Sequence, residues 1–187
     1  MRVRKGKLTD TSSVSWRQVL HSRLPLYGHR NWIVVADSAY PAQSSPGIET
    51  VVSNAGHLEV LREVLDALMA ARHVRSVVHT DQELQYVKED DAPGIAAFRQ
   101  QFSELFKNLQ LDAKPHDQII SALDQASQTF RILIIKTDMA IPYTSVFLEL
   151  QCGYWKADAE SRLRAVMSHV LVKERSKTGE GVLGWPR

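Results

Sequence analysis

A single cysteine, Cys152, leaves no partner for an intrachain disulfide and excludes a cysteine-rich zinc site. No apolar run approaches the roughly 20 residues that a membrane-spanning helix needs. A secretory signal is not expected either, because polar Thr9 to Ser13 follows the first basic residues where an apolar stretch belongs. Charge of one sign is also lacking: 23 Lys and Arg face 21 Asp and Glu, and a net charge of +2 argues against a nucleic-acid surface. The one basic cluster, Arg2, Arg4, Lys5 and Lys7, reads as a solvated arm. Neither GxxxxGK(S/T) nor GxGxxG occurs, the seven histidines form no His-x-x-x-His pair, and there is no Gly-x-Ser-x-Gly elbow. Phosphoryl transfer, acyl transfer and cofactor chemistry therefore have no positive support, and neither a cofactor nor a metal is expected. What remains is a soluble, cytoplasmic globular protein with 44% hydrophobic residues.

Apolar runs and helical periodicities alternate along the chain. Thr11-Ser12-Ser13 caps a short helix over Val14 to Leu20, and Gly28 to Asn31 is a turn. Trp32 to Ala36 is apolar at every position, as in a strand buried on both faces, and Pro41 bars its continuation. Leu58, Leu61, Val64, Leu65, Leu68 and Met69 recur at helical spacing within Gly56 to Arg72. A strand follows at Val74 to His79, with Glu83 to Val87 as a further strand candidate. Ala92-Pro93-Gly94 opens a helix carrying Ile95, Phe98, Phe102, Leu105 and Phe106, and Pro115 opens another through Leu123 and Ala126. Strands are expected at Phe130 to Ile135 and Tyr143 to Leu150, and a helix at Ala157 to Val170. Lys173 to Arg187 reads as a mobile tail. This order specifies an α/β fold: a three-layer domain with a central, mostly parallel sheet covered by helices on both faces. The domain is placed at 1–160, and 161–187 forms a C-terminal extension of helix then tail.

Parallel sheets take ligands beyond the carboxyl ends of their strands. That directs attention to Asp37 and Tyr40, which follow the first apolar strand. Asp37 has a plainer reading as a cap for its own loop. His29, in the turn before the strand, is either a turn residue bonded to backbone or an acid/base group. A strand of that length spans roughly 15–20 Å, so His29 and Asp37 meet only if the turn folds His29 back or a neighbouring subunit supplies one of them. Ile141-Pro142-Tyr143-Thr144-Ser145 places a phenol and two hydroxyls before another apolar strand, where Tyr143 is either a strand-edge residue or a ligand contact.

Gly28-His29-Arg30-Asn31-Trp32-Ile33-Val34-Val35-Ala36-Asp37-Ser38-Ala39-Tyr40-Pro41 resembles the N-terminal signature of the D-ribose pyranase / L-fucose mutarotase family. Phe130 to Asp138 is similar to that family's apolar strand ending in a basic residue, a turn and an acid. Ile141 to Leu148 is similar to its Pro-Tyr-x-Asn signature. The resemblance covers roughly residues 10–155 in order. It implies a cofactor-free isomerase that interconverts ring or anomeric forms of a free, fucose- or ribose-like monosaccharide. It also implies a homo-oligomer, ring-shaped, with sites at subunit contacts. By position, His29 matches the acid/base histidine, Asp37 the signature aspartate and Tyr143 the sugar-binding tyrosine. His116, in Pro115-His116-Asp117-Gln118, resembles a second histidine of the pyranase branch.

The family's Asn is replaced by Ser145, and a hydroxyl offers one donor where an amide offers two. That change leaves open a catalytically altered monosaccharide-binding or regulatory module, or an isomerase of a non-sugar ligand. Thr80 to Asn108 and the tail after 155 are longer than compact members need. The aromatic residues Trp16, Trp32, Phe98, Phe102 and Phe106 together exceed the needs of one small core and point to an oligomer contact, although each one singly reads first as core packing.

Overall fold

The computed structural model describes residues 15–178, with side chains as far as Ser168. In chain order the elements are α1 (Trp16–Arg23), β1 (Trp32–Ala36), β2 (Ile48–Val52), α2 (His57–Ala70), β3 (Val74–Asp81), α3 (Ile95–Leu105), β4 (Leu111–Lys114), α4 (His116–Ser127), β5 (Ile132–Lys136), β6 (Val146–Cys152) and α5 (Ala157–Thr178). The strands form one sheet in the order β2-β5-β1-β6-β3-β4. All pairings are parallel except the two made by β6, which runs antiparallel to both β1 and β3. Val146, the first residue of β6, therefore pairs with Val35 near the end of β1 and with Thr80 near the end of β3. The start of one strand and the ends of five others share a single edge.

Successive side chains of a strand point to opposite faces, and each face here has its own core. Ile33, Val35, Leu133, Ile135, Val146 and Leu148 pack under α1, α2 and α3. Val34, Ile132, Ile134 and Phe147 pack under α4 through Ile119 and Leu123. This is the expected three-layer α/β arrangement. The apolar stripe of α2 is buried at Val60, Leu61, Val64, Leu65 and Leu68, whereas Met69, expected on that stripe, is exposed. At α1, Ser15 accepts the Arg17 N–H, and the Gln18 side chain accepts the Ser15 N–H, a reciprocal cap. Gly47 admits β2 beside the end of α4, because a Cβ there would overlap the Ser127 carbonyl.

Several expected elements differ. Glu83 to Val87 is not a strand: Gln82–Tyr86 is a 3-10 turn after β3. β2 and β4 were unanticipated edge strands, half-exposed and without an apolar run. The last strand begins at Val146 rather than Tyr143, whose positive φ of 60° breaks the extended run. α5 continues through Thr178, so Lys173 to Thr178 is helix rather than tail. The Thr11–Ser13 cap, the basic arm and 179–187 lie outside the described residues. Trp16, Trp32, Phe98, Phe102 and Phe106 are all buried within this one chain. They are core, and supply no spare aromatic surface.

Candidate active site

At the shared edge, the loop after β1 meets the loop that enters β6. Ser145 is buried, and its hydroxyl accepts the Asp37 N–H at 3.1 Å while donating to Asp37 Oδ2 at 2.8 Å. Asp37 Oδ1 accepts the Ala39 N–H at 2.9 Å, so the plainer capping role is real. Both carboxylate oxygens are held in place, and Asp37 remains partly open to solvent. The one proton of Ser145 is already engaged, which leaves that hydroxyl no donor for a ligand.

β3 brings a second carboxylate to the same edge. Asp81 is buried, and its Oδ1 lies 3.0 Å from His116 Nδ1 at the first turn of α4. A carboxylate only accepts, so Nδ1 carries the hydrogen of this bond, and in the neutral ring Nε2 is then the acceptor. Burial pushes the Asp81 carboxyl up from its ordinary value, and the bond to His116 pulls it back. Among the described residues Asp81 Oδ2 has no partner. Glu83 accepts the His116 N–H through both oxygens at 3.1 Å, closing the start of α4. The Tyr143 ring meets His116 edge-on, with centroids 5.8 Å apart. Tyr143 is exposed and holds the left-handed backbone that disfavours a side chain, a strain that gathers at functional loops.

Tyr40 lies below this surface, buried against Phe147, and its hydroxyl has no partner among the described residues. Burial pushes that phenol well above its ordinary pKa. Its carbonyl accepts from Lys136 Nζ at 2.6 Å, tying the loop after β1 to the end of β5. Nearby, the Thr137 hydroxyl donates to the Ala36 carbonyl and sits 2.9 Å from His57 Nδ1. His57 is buried with Nε2 unpartnered among the described residues, and burial holds its pKa down at about 4.

Asp37, Ser145, Tyr143 and His116 are thus brought to one edge, with Tyr40 beneath it. His29 is not. It is exposed in the turn where Gly28 N–H donates to Asn31 Oδ1 and Arg30 N–H to the Leu150 carbonyl, at the opposite end of β1. β1 alone spans about 16 Å. Sequence reasoning missed Asp81, Glu83 and His57. The acid ending an apolar strand was the available signal for Asp81, the same signal that singled out Asp37. Among the described residues no three His, Cys, Asp or Glu side chains gather as metal ligands, and no helix is long and apolar enough to cross a membrane.

No curated protein matches the chain in sequence. Among solved structures, RbsD of Bacillus subtilis complexed with D-ribose is similar at 18% identity and a TM-score of 0.48, over 82% of this chain and 100% of that one. The fucose mutarotase of Streptococcus pneumoniae in complex with L-fucose is similar at 18% identity and a TM-score of 0.46, over 78% and 98%. FucU from Bifidobacterium longum is similar at 16% identity and a TM-score of 0.50, over 72% and 92%, a likeness of fold. Residues 17–153 match the RbsD / FucU transport protein family. With that match over most of its length, the chain belongs to the RbsD / FucU family.

Proposed function

We propose that this protein is a cofactor-free isomerase that opens and recloses the ring of a free, fucose- or ribose-like monosaccharide. The observation that carries the reading is the Asp81–His116–Tyr143 arrangement beside Asp37, in a chain of this family. Opening a hemiacetal transfers the anomeric hydroxyl proton to a base and a second proton to the ring oxygen as the C–O bond breaks. Reclosure reverses both steps. His116, held by Asp81 with Nε2 outward, suits the first transfer. Asp37 accepts sugar hydroxyls and Tyr143 holds the ring from the side. His29 enters from a second copy of the chain and handles the ring-oxygen proton, so the working form is a homo-oligomer; its ring shape is what the family resemblance implies, and the cytoplasm is its proposed location. General acid–base help of about 10²–10⁴-fold is enough for a reaction that already proceeds in water.

A specific observation favours a second reading, a monosaccharide-binding or regulatory module: the Ser145 proton is engaged by Asp37, so the sugar contact of the family's amide is absent. Saturation-transfer NMR of D-ribose and L-fucose separates the two. An enzyme speeds exchange between anomers, a module only broadens the sugar lines, and no effect on either sugar rejects both.

A further inference from the structure

Among the described residues, α1, α2 and α3 cover one face of the sheet and α4 covers the other. Between α4 and the amino end of β1 a cavity of about 350 Å³ remains, at the small end of small-molecule sites. Its wall includes His79, which is only 4% exposed. His79 Nε2 lies 3.2 Å from Glu149 Oε2, which also lines the cavity. Nδ1 lies 3.0 Å from Asp112 Oδ2, so the ring sits between two carboxylates. The imidazole stacks on Trp32 at 5.3 Å. A buried polar ring beside a carboxylate is costly in a position that serves packing alone.

The lining also selects by charge. An anion would meet the Glu149 carboxylate, and a cation would meet the guanidinium of Arg30 and the ammonium of Lys114, whose charge Asp112 offsets at 2.9 Å. A neutral molecule with several hydroxyls donates to Glu149 and accepts from Arg30 and the Gln118 amide at once. Trp32 and Ala122 supply the apolar wall against which the carbon skeleton of such a molecule lies. We propose that this cavity is a second binding site, for a neutral polyhydroxylated molecule of monosaccharide size, apart from the Asp37–His116 cluster. It stands whether or not that cluster is catalytic.

The test is amide and indole NMR of the whole chain titrated with myo-inositol, D-ribose and L-fucose. At least one of the three should shift the Trp32 indole N–H and the Gln118 side-chain amide saturably. Gln118→Ala should raise its Kd about threefold to tenfold, the worth of one hydrogen bond. Ala122 is exposed on α4, so Ala122→Trp should fill the cavity, keep a dispersed spectrum and abolish the shifts. The proposal is overturned if none of the three moves Trp32 and Gln118. Shifts confined to Asp37, Tyr143 and Ser145, or shifts that neither variant weakens, overturn it equally.

Discussion

Acidification should unfold this protein partly through one histidine. His57 is buried, and burial holds its pKa at about 4 against an ordinary 6.5. Its folded pKa is lowered, so between these values the unfolded chain takes up a proton that the folded chain refuses. Stability from this group is complete above about pH 6.5 and falls as pH drops toward 4. Integrated over that window, the loss is about 3 kcal/mol, a large share of the stability of a domain this size. His57→Gln keeps a group able to bond the Thr137 hydroxyl but does not titrate. Urea unfolding of both proteins at intervals from pH 7 to pH 4 reads the effect. The wild type should lose about 3 kcal/mol more than the variant across the window. Parallel losses would refute the reasoning and show that His57 finds water or an acidic partner when protonated.

Ile134 is fully buried in β5, and Ile134→Ala should cost about 2–5 kcal/mol in chemical unfolding, a smaller loss meaning that the core collapses around the gap. Ser145→Ala should cost about 1 kcal/mol, because the hydroxyl links the backbone and carboxylate of Asp37; no change in the midpoint would contradict that bridge. Tyr143→Gly releases a left-handed backbone that burdens a side-chain-bearing residue by about 1 kcal/mol, so the thermal midpoint should hold or rise while sugar affinity falls. Light scattering should give a multiple of 21.1 kDa, and a mass of one chain at micromolar concentration would remove the second-copy role of His29. Co-expressed His29→Ala and Asp37→Asn chains should then recover about a quarter of the wild-type rate by random assembly, where homogeneous variants have none.

The parts of this fold legible from sequence are those whose local pattern and tertiary role coincide. β1 is apolar throughout, and β5 as far as Ile135, because both faces are covered, and α2 shows its buried stripe because one face meets the sheet. β2 and β4 carry Glu49, Thr50, Asp112 and Lys114 among few apolar residues, as edge strands do, and so resemble loops. The site divides in the same way. Asp37, Tyr143 and Ser145 stand beside apolar runs that mark the sheet edge. Asp81 and His116 are 35 residues apart, and only the pairing of β3 with β6 and β4 makes them partners. His57 is legible as a helix start but not as a buried base, since its burial depends on Phe98 from α3. His29 shows the converse case, where a motif is local but its two ends are held apart by the strand between them.

The most direct measurement is the anomer exchange rate of L-fucose and D-ribose under saturation transfer, with wild type and His116→Asn compared at equal concentration. The account predicts acceleration by the wild type on at least one sugar, and a fall of about 10²-fold or more in the variant with its thermal midpoint unchanged. A variant that keeps most of the acceleration would contradict the role given to His116 and to the Asp81 carboxylate behind it.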